Sequence, residues 1–217
     1  MAKLLVILCG IPCTGKTQLA LELAKELDFN HGLHTMIADP DRIREMMPAL
    51  RSRFDPKQEA FIESLTWTLI DQSLEKLDVV ISDDLNYYES ARHRLIGIAR
   101  KHRAEYIIIL LLVSVEVAQR RNATRGTPIP QELISKIAKR FDTPGGKYKW
   151  DKPDLVLDSE KLTATDAAKR ALDIILNRIK AKTEEAQGRP AKSGSRLTKV
   201  RTQQGFTGET LDESTRR

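Results

Sequence analysis

The sequence predicts an α/β fold: a five-stranded parallel sheet with helices on both faces and a small helical lid. Three observations carry that expectation. Continuous apolar runs alternate with stretches whose apolar residues recur at helical spacing, the rhythm of parallel strands joined by crossover helices. A glycine-rich segment joins the first apolar run to the first helical one. A later apolar run ends in two adjacent aspartates.

The elements follow in order. Leu4–Cys9 is continuously apolar, as a strand buried on both faces must be. Thr17–Leu27 repeats apolar residues at helical spacing. His34–Ala38 reads as the second strand, Pro56–Lys76 as a long helix and Asp78–Ser82 as the third strand. Tyr88–His102 is helical in pattern, and Glu105–Val113 is the fourth strand. Val115–Asn122 and Pro130–Phe141 are helices flanking a Gly/Pro-containing break, which makes them the lid. Leu155–Leu157 gives a brief fifth strand and Ala164–Lys180 the last helix. In such sheets ligands bind beyond the carboxyl ends of the strands, so functional residues are expected just after them.

The chain divides into a domain over 1–181 and a tail over 182–217. The tail is rich in Thr, Gly, Gln, Ser and Arg, and its apolar residues stand alone. It cannot bury enough surface to offset the entropy of ordering and reads as disordered. It is either a solubilising extension or a basic arm that touches RNA. The net charge of +6 over 217 residues is compatible with a polyanionic partner without specifying one. The apolar runs at Leu4–Leu8 and Tyr106–Val113 are too short for a signal peptide or a membrane span, so a cytoplasmic protein is expected. The two cysteines, Cys9 and Cys13, cannot form a disulfide framework or a zinc site. They read as a buried small residue and a tolerated loop residue, with a redox switch as the alternative. The four histidines show no ligand spacing.

Gly10-Ile11-Pro12-Cys13-Thr14-Gly15-Lys16-Thr17 matches G-x-x-x-x-G-K-[ST], placed between a strand and a helix as a P-loop NTPase fold requires. The glycines let backbone N–H groups turn toward phosphate oxygens, and the helix adds its positive end. Lys16 is expected on the β- and γ-phosphates of ATP and Thr17 on Mg²⁺. Val79–Asp84 ends the third strand in carboxylates at the Walker B position. Asp83 is the expected Mg²⁺ partner, with Asp84 beside it. Asp41 and Arg44, just past the second strand, face the position of the γ-phosphate. Asp41 is placed to orient an acceptor hydroxyl and take its proton, and Arg44 to bind a phosphate; the alternative is that Asp41 only caps a helix. Arg121 and Arg125 share one helix face near the lid break and are placed to close over the triphosphate. Thr143–Trp150 carries two aromatics and two lysines. Contact with adenine, stacking on nucleic acid and anchoring to the core are all compatible with it.

Together these segments resemble the kinase domain of archaeal O-phosphoseryl-tRNA(Sec) kinase over residues from about 3 to about 180. The specific likeness lies in Asp41-Arg-Ile-Arg44-Glu45, Asp83-Asp84-Leu-Asn86-Tyr87-Tyr88, Arg121-Asn-Ala-Thr-Arg125-Gly126 and Phe141-Asp142 through Trp150-Asp151. The resemblance implies ATP- and Mg²⁺-dependent phosphorylation of the serine hydroxyl on seryl-tRNA(Sec). In it Asp41 is the catalytic carboxylate, with Arg44 nearby. Arg121 and Arg125 lie over the phosphates. Asp84, Asn86, Tyr87 and Tyr88 belong to the acceptor side. Family members carry a helical C-terminal domain that grips tRNA, whereas here the folded pattern stops near residue 181. A kinase of a small molecule or polynucleotide end, and a tRNA-binding ATPase of the Elongator-associated type, remain alternatives, and homodimerisation stays open.

Overall fold

The computed structural model describes residues 2–47, 56–125 and 129–188. Its centre is one five-stranded parallel sheet in the order β2-β3-β1-β4-β5. The strands are β1 (Leu4–Cys9), β2 (Thr35–Ala38), β3 (Val79–Asp83), β4 (Glu105–Leu112) and β5 (Leu155–Asp158). Strand β1 lies between β3 and β4, with Leu8 opposite Asp83 on one side and Cys9 opposite Leu110 on the other. All six of its residues are buried, which is why its sequence is apolar without alternation.

The pleat sends β1 side chains to two separate cores. Leu4, Val6 and Leu8 pack with Leu19, Leu23, Ala171 and Ile175, on α1 (Lys16–Lys25) and the last helix. Leu5, Ile7 and Cys9 pack on the opposite face with Ile70, Leu74, Leu95 and Ile96. Those four belong to α3 (Pro56–Lys76) and α4 (Glu89–Lys101). A third, smaller cluster joins the glycine-rich loop to the lid: Cys13 packs against Ala118 of α5 (Val115–Ala123) and Ile134 of α6 (Gln131–Lys139). The fold class is therefore as expected.

Two elements differ from expectation. A short helix, α2 (Pro40–Glu45), follows β2; Asp39, not Asp41, is its N-cap, accepting the Asp41 N–H at 2.8 Å. The last helix, α7 (Ala164–Ala186), runs past Lys180 and through the start of the expected tail. Its final turns are polar, yet they are good helix formers continuing a docked amphipathic helix. Lys182 also pairs with Glu105 at 2.9 Å. The remainder of the expected tail, from 189, lies outside the described residues.

The connection from α6 to β5 is held by a fully buried arginine. Arg92 of α4 donates to both carboxylate oxygens of Asp151, at 2.7 and 2.6 Å, and to the carbonyls of Asn86 and Asp142, each at 2.8 Å. One guanidinium thus clamps the turn after β3 to the segment 142–151. Truncating one partner strands the other charge without solvent. Arg92→Met is expected to lower unfolding free energy by about 3–5 kcal/mol in urea titration; a loss below about 1 kcal/mol would contradict a clamping role.

Candidate active site

The carboxyl ends of β1 and β3 meet where the strand order reverses, and the loop Gly10–Thr17 lies in that crevice. Its path requires glycine at Gly10. A Cβ there would stand 2.8 Å from the Leu111 carbonyl oxygen, closer than packed atoms allow. Gly15 takes φ 94° as the cap of α1, and Cys13 takes φ 63°, so the loop curls tightly.

Lys16 is 8% exposed and folds back over the loop, donating to the carbonyls of Gly10 (3.0 Å) and Ile11 (2.9 Å) and to Thr14 Oγ1 (3.3 Å). Burial lowers its pKa, and the charges of Asp83 and Asp84 act against that. Asp83, at the end of β3, is 4% exposed; its carboxyl is pushed up to about 6, chiefly by burial, while the Thr17 hydroxyl donates to it and opposes the shift. Its Oδ2 has no hydrogen-bond partner. A buried carboxylate oxygen without a donor, beside a threonine hydroxyl, is what a Mg²⁺ ion would complete, so Thr17 and Asp83 fit that ion. Among the described residues no group of three His, Cys, Asp or Glu could hold a metal unaided. Such an ion would therefore need phosphate oxygens as further ligands.

A cavity of about 1210 Å³ opens from this loop toward α2, α3 and α6. Lys16, Thr17, Asp41, Arg44, Asp83, Asp84, Tyr87 and Arg125 all line it. Asp41 is exposed and pairs with Arg44, which is tied from its other side to Glu59 Oε2 at 2.6 Å and Oε1 at 3.1 Å. Asp84 reaches solvent yet is walled by the cavity. Its pKa is raised first by loss of surrounding water, with the Leu85 N–H and Lys16 opposing. Tyr87 stacks at a tilt on Tyr88, ring centroids 3.9 Å apart, and burial carries its hydroxyl up to about 12.

A second cavity of about 380 Å³ lies on the other side of the loop, walled by Leu19, Leu111, Leu157 and Leu162 with Arg121 at its edge. Arg121 donates to the Ser159 carbonyl (2.6 Å), to Ser159 Oγ (3.0 Å) and to the Cys13 carbonyl (3.4 Å). It ties the lid to the loop after β5. Arg125 lines both cavities, with Nη1 3.7 Å from Cys13 Sγ. The last residue of that motif, Gly126, lies outside the described residues.

The structure thus brings most expected residues to one place and gives others different work. Asn86 borders the large cavity, but its buried amide donates to the Leu8 carbonyl (2.8 Å) and Ser82 Oγ (3.2 Å), fixing the loop after β3 to β1. Tyr88 is the N-cap residue of α4 and lines neither cavity. The segment 143–150 lines neither cavity either, so among the described residues adenine contact finds no support there. Cys9, raised to about 12 by burial, stays a thiol. Sequence reasoning passed over Glu59, which holds Arg44 across 15 residues with no local signal. It also passed over Ser159, which the rule that ligand residues follow strands would have found.

Fold and site define the class: a P-loop kinase, an enzyme of the phosphotransferase type. The chain belongs to the family described as chromatin associated protein KTI12, whose model matches residues 2–215. It is 35% identical to an L-seryl-tRNA(Sec) kinase from Methanococcus maripaludis, the match covering 81% of this chain and 67% of the relative. It is 27% identical to a KTI12 homologue from Xenopus laevis, covering 69% of this chain and 54% of that protein. The chain therefore spans between about half and two thirds of the length of these relatives. Among solved structures, Chaetomium thermophilum Kti12 in complex with ADP-AlF3 aligns with a TM-score of 0.63 at 23% identity, over 81% of this chain and 98% of the other. Among the described residues no helix is long and apolar enough to cross a membrane.

Asp83 gives a sign that can be checked. Its folded pKa lies above its unfolded value of 3.8, so the fold binds the extra proton between about pH 4 and 6, and the charged form opposes folding above that window. Asp83→Asn is expected to stabilise the metal-free protein by roughly 1–3 kcal/mol at pH 7, with the gain fading as pH falls from about 6 to about 4. The same variant should lose Mg²⁺-dependent nucleotide binding in calorimetric titration.

Proposed function

We propose that the chain is an ATP- and Mg²⁺-dependent kinase that transfers the γ-phosphoryl group to the serine hydroxyl of seryl-tRNA(Sec). The observation that carries this is the placement of Asp41 in one cavity with Lys16, Thr17 and Asp83. A bare nucleotide hydrolase needs no roomy, carboxylate-bearing acceptor space beside its phosphate loop. The 35% identity to an L-seryl-tRNA(Sec) kinase supports the choice of acceptor.

In this assignment the phosphates lie on the N–H groups of Gly10–Thr17, and the smaller apolar cavity takes the nucleoside. Lys16 turns from the loop carbonyls to the β- and γ-phosphates. When bound at Thr17 and Asp83, Mg²⁺ neutralises charge on the phosphate oxygens. Asp41 accepts the proton of the serine hydroxyl as its oxygen bonds to the γ-phosphorus and the bond to the β-phosphate oxygen breaks, leaving ADP and an O-phosphoseryl ester. Arg44, fixed by Glu59, positions Asp41 at the cavity through their ion pair. Arg125 offsets charge at the phosphates, while Arg121 sets the nucleoside side through Ser159 and Cys13. Cytoplasmic work follows from an aminoacyl-tRNA substrate.

The match to the KTI12 family model over nearly the whole chain favours one second reading, a tRNA-stimulated ATPase with no phosphoryl acceptor. The Asp41 variant separates the two. With serylated tRNA(Sec) and ATP labelled at the γ-position, Asp41→Asn is expected to cut phosphoserine formation by about 10²–10⁴-fold. ATP affinity should stay within about twofold. Wild-type rates of transfer in the variant would remove Asp41 from the reaction.

A further inference from the structure

The segment 143–150 is anchored at one end and bare at the other. Asp151 is clamped by Arg92, the Trp150 carbonyl accepts from Tyr106 Oη at 3.2 Å, and Trp150 packs against the core face formed by α3 and α4. The base of the loop is equally fixed. Gly146 closes a turn on the Thr143 carbonyl at 3.1 Å, and Gly145, at φ 79°, lies against Lys152 and Pro153. None of this uses the side chains of Lys147 or Lys149, and Lys147, Tyr148 and Lys149 are all exposed. The Tyr148 ring stacks on Trp150 at 5.5 Å and 18°, and is 37% exposed. Lys147 stands over the Tyr148 ring at 4.7 Å, and its contact with Glu89, at 3.9 Å, is an exposed ion pair of little strength.

The start of the segment is tied to the lining of the large cavity. The Asp142 N–H donates to the carbonyl of Tyr87, a cavity residue, at 2.9 Å, and the Glu89 N–H donates to the Asp142 carboxylate at 3.2 Å. Helix α6, whose Leu133 and Ile137 line the cavity, leads into the segment through exposed Lys139 and Arg140. A fixed base that presents an exposed aromatic ring between two lysines has the chemistry of a stacking platform for single-stranded nucleic acid.

We propose that Lys147, Tyr148 and Lys149 form a ledge that binds the single-stranded end of an RNA, with a base stacked on Tyr148, and leads the terminal nucleotide toward the large cavity. This rests on the reading above that the acceptor is carried on RNA.

The test is binding of a fluorescent single-stranded oligoribonucleotide of about 12 nucleotides to the full chain across a salt series. Tyr148→Ala is expected to weaken binding about 5- to 150-fold, while Tyr148→Trp restores it. The pair Lys147→Ala and Lys149→Ala should reduce the slope of log affinity against log salt by about 1.4. ATP affinity should not move in any of these variants, nor thermal unfolding in the lysine pair. Unchanged affinity in Tyr148→Ala with an unchanged slope in the lysine pair overturns the ledge, even where serine phosphorylation is observed. The expected binding losses without any phosphoserine product leave the ledge standing and defeat the kinase assignment instead.

Discussion

The site depends on how closely one loop can be drawn against the end of a parallel sheet. Gly10 lies so near the Leu111 carbonyl that no side chain fits, and this approach lets the loop curl until Lys16 reaches the Gly10 and Ile11 carbonyls. The curl places a desolvated ammonium beside a desolvated carboxylate, Asp83, each shifted toward neutrality by burial and each held charged by the other. Phosphate oxygens at Lys16 and a divalent cation at Asp83 would each favour the charged form. The surrounding architecture serves that one juxtaposition. Strand β1 is buried on both faces to fix the loop's start, Asn86 ties the turn after β3 back to Leu8, and the lid cluster seats Cys13 against Ala118 and Ile134.

Two cavities flank this centre. The smaller one, bordered by Arg121 and Ser159, is mostly apolar and takes the nucleoside in the proposed assignment. The larger one carries Asp41, Glu59, Glu63 and Tyr87 among apolar residues of α3 and α6, and is much wider than a phosphate chain requires. Arg125 faces both. The Arg92 clamp ties the 142–151 segment to the turn after β3, so that a distortion there would reach the Asn86 and Tyr87 side of the larger cavity.

What was legible in the sequence was what has a local signature. Strand β1, the glycine pattern after it and the aspartates after β3 could be read because burial on both faces, left-handed turns and strand ends impose residue types over a few positions. The long helix Pro56–Lys76 was legible for the same reason. Arg44's partner Glu59 and the Arg92–Asp151 pair were not, since each joins residues that chain neighbours do not betray. Asp41 lines the large cavity with Lys16 and Asp83, but the cap of its helix is Asp39. Asn86 was assigned to the acceptor side, where its amide serves the sheet instead. The end of the folded region was set too early. Composition alone treats Ala181–Ala186 as tail, whereas its helix propensity and the Lys182–Glu105 pair extend α7 through it.

In the proposed reaction the large cavity delivers a hydroxyl, not water, to the γ-phosphate. The most direct measurement is the partition of γ-labelled phosphate between phosphoserine and free phosphate, with serylated tRNA(Sec), uncharged tRNA or free serine supplied to the wild-type chain. Label on serine only from the charged tRNA is the predicted result. Label released as free phosphate at the same rate with charged and uncharged tRNA would contradict it and would leave the cavity without an acceptor.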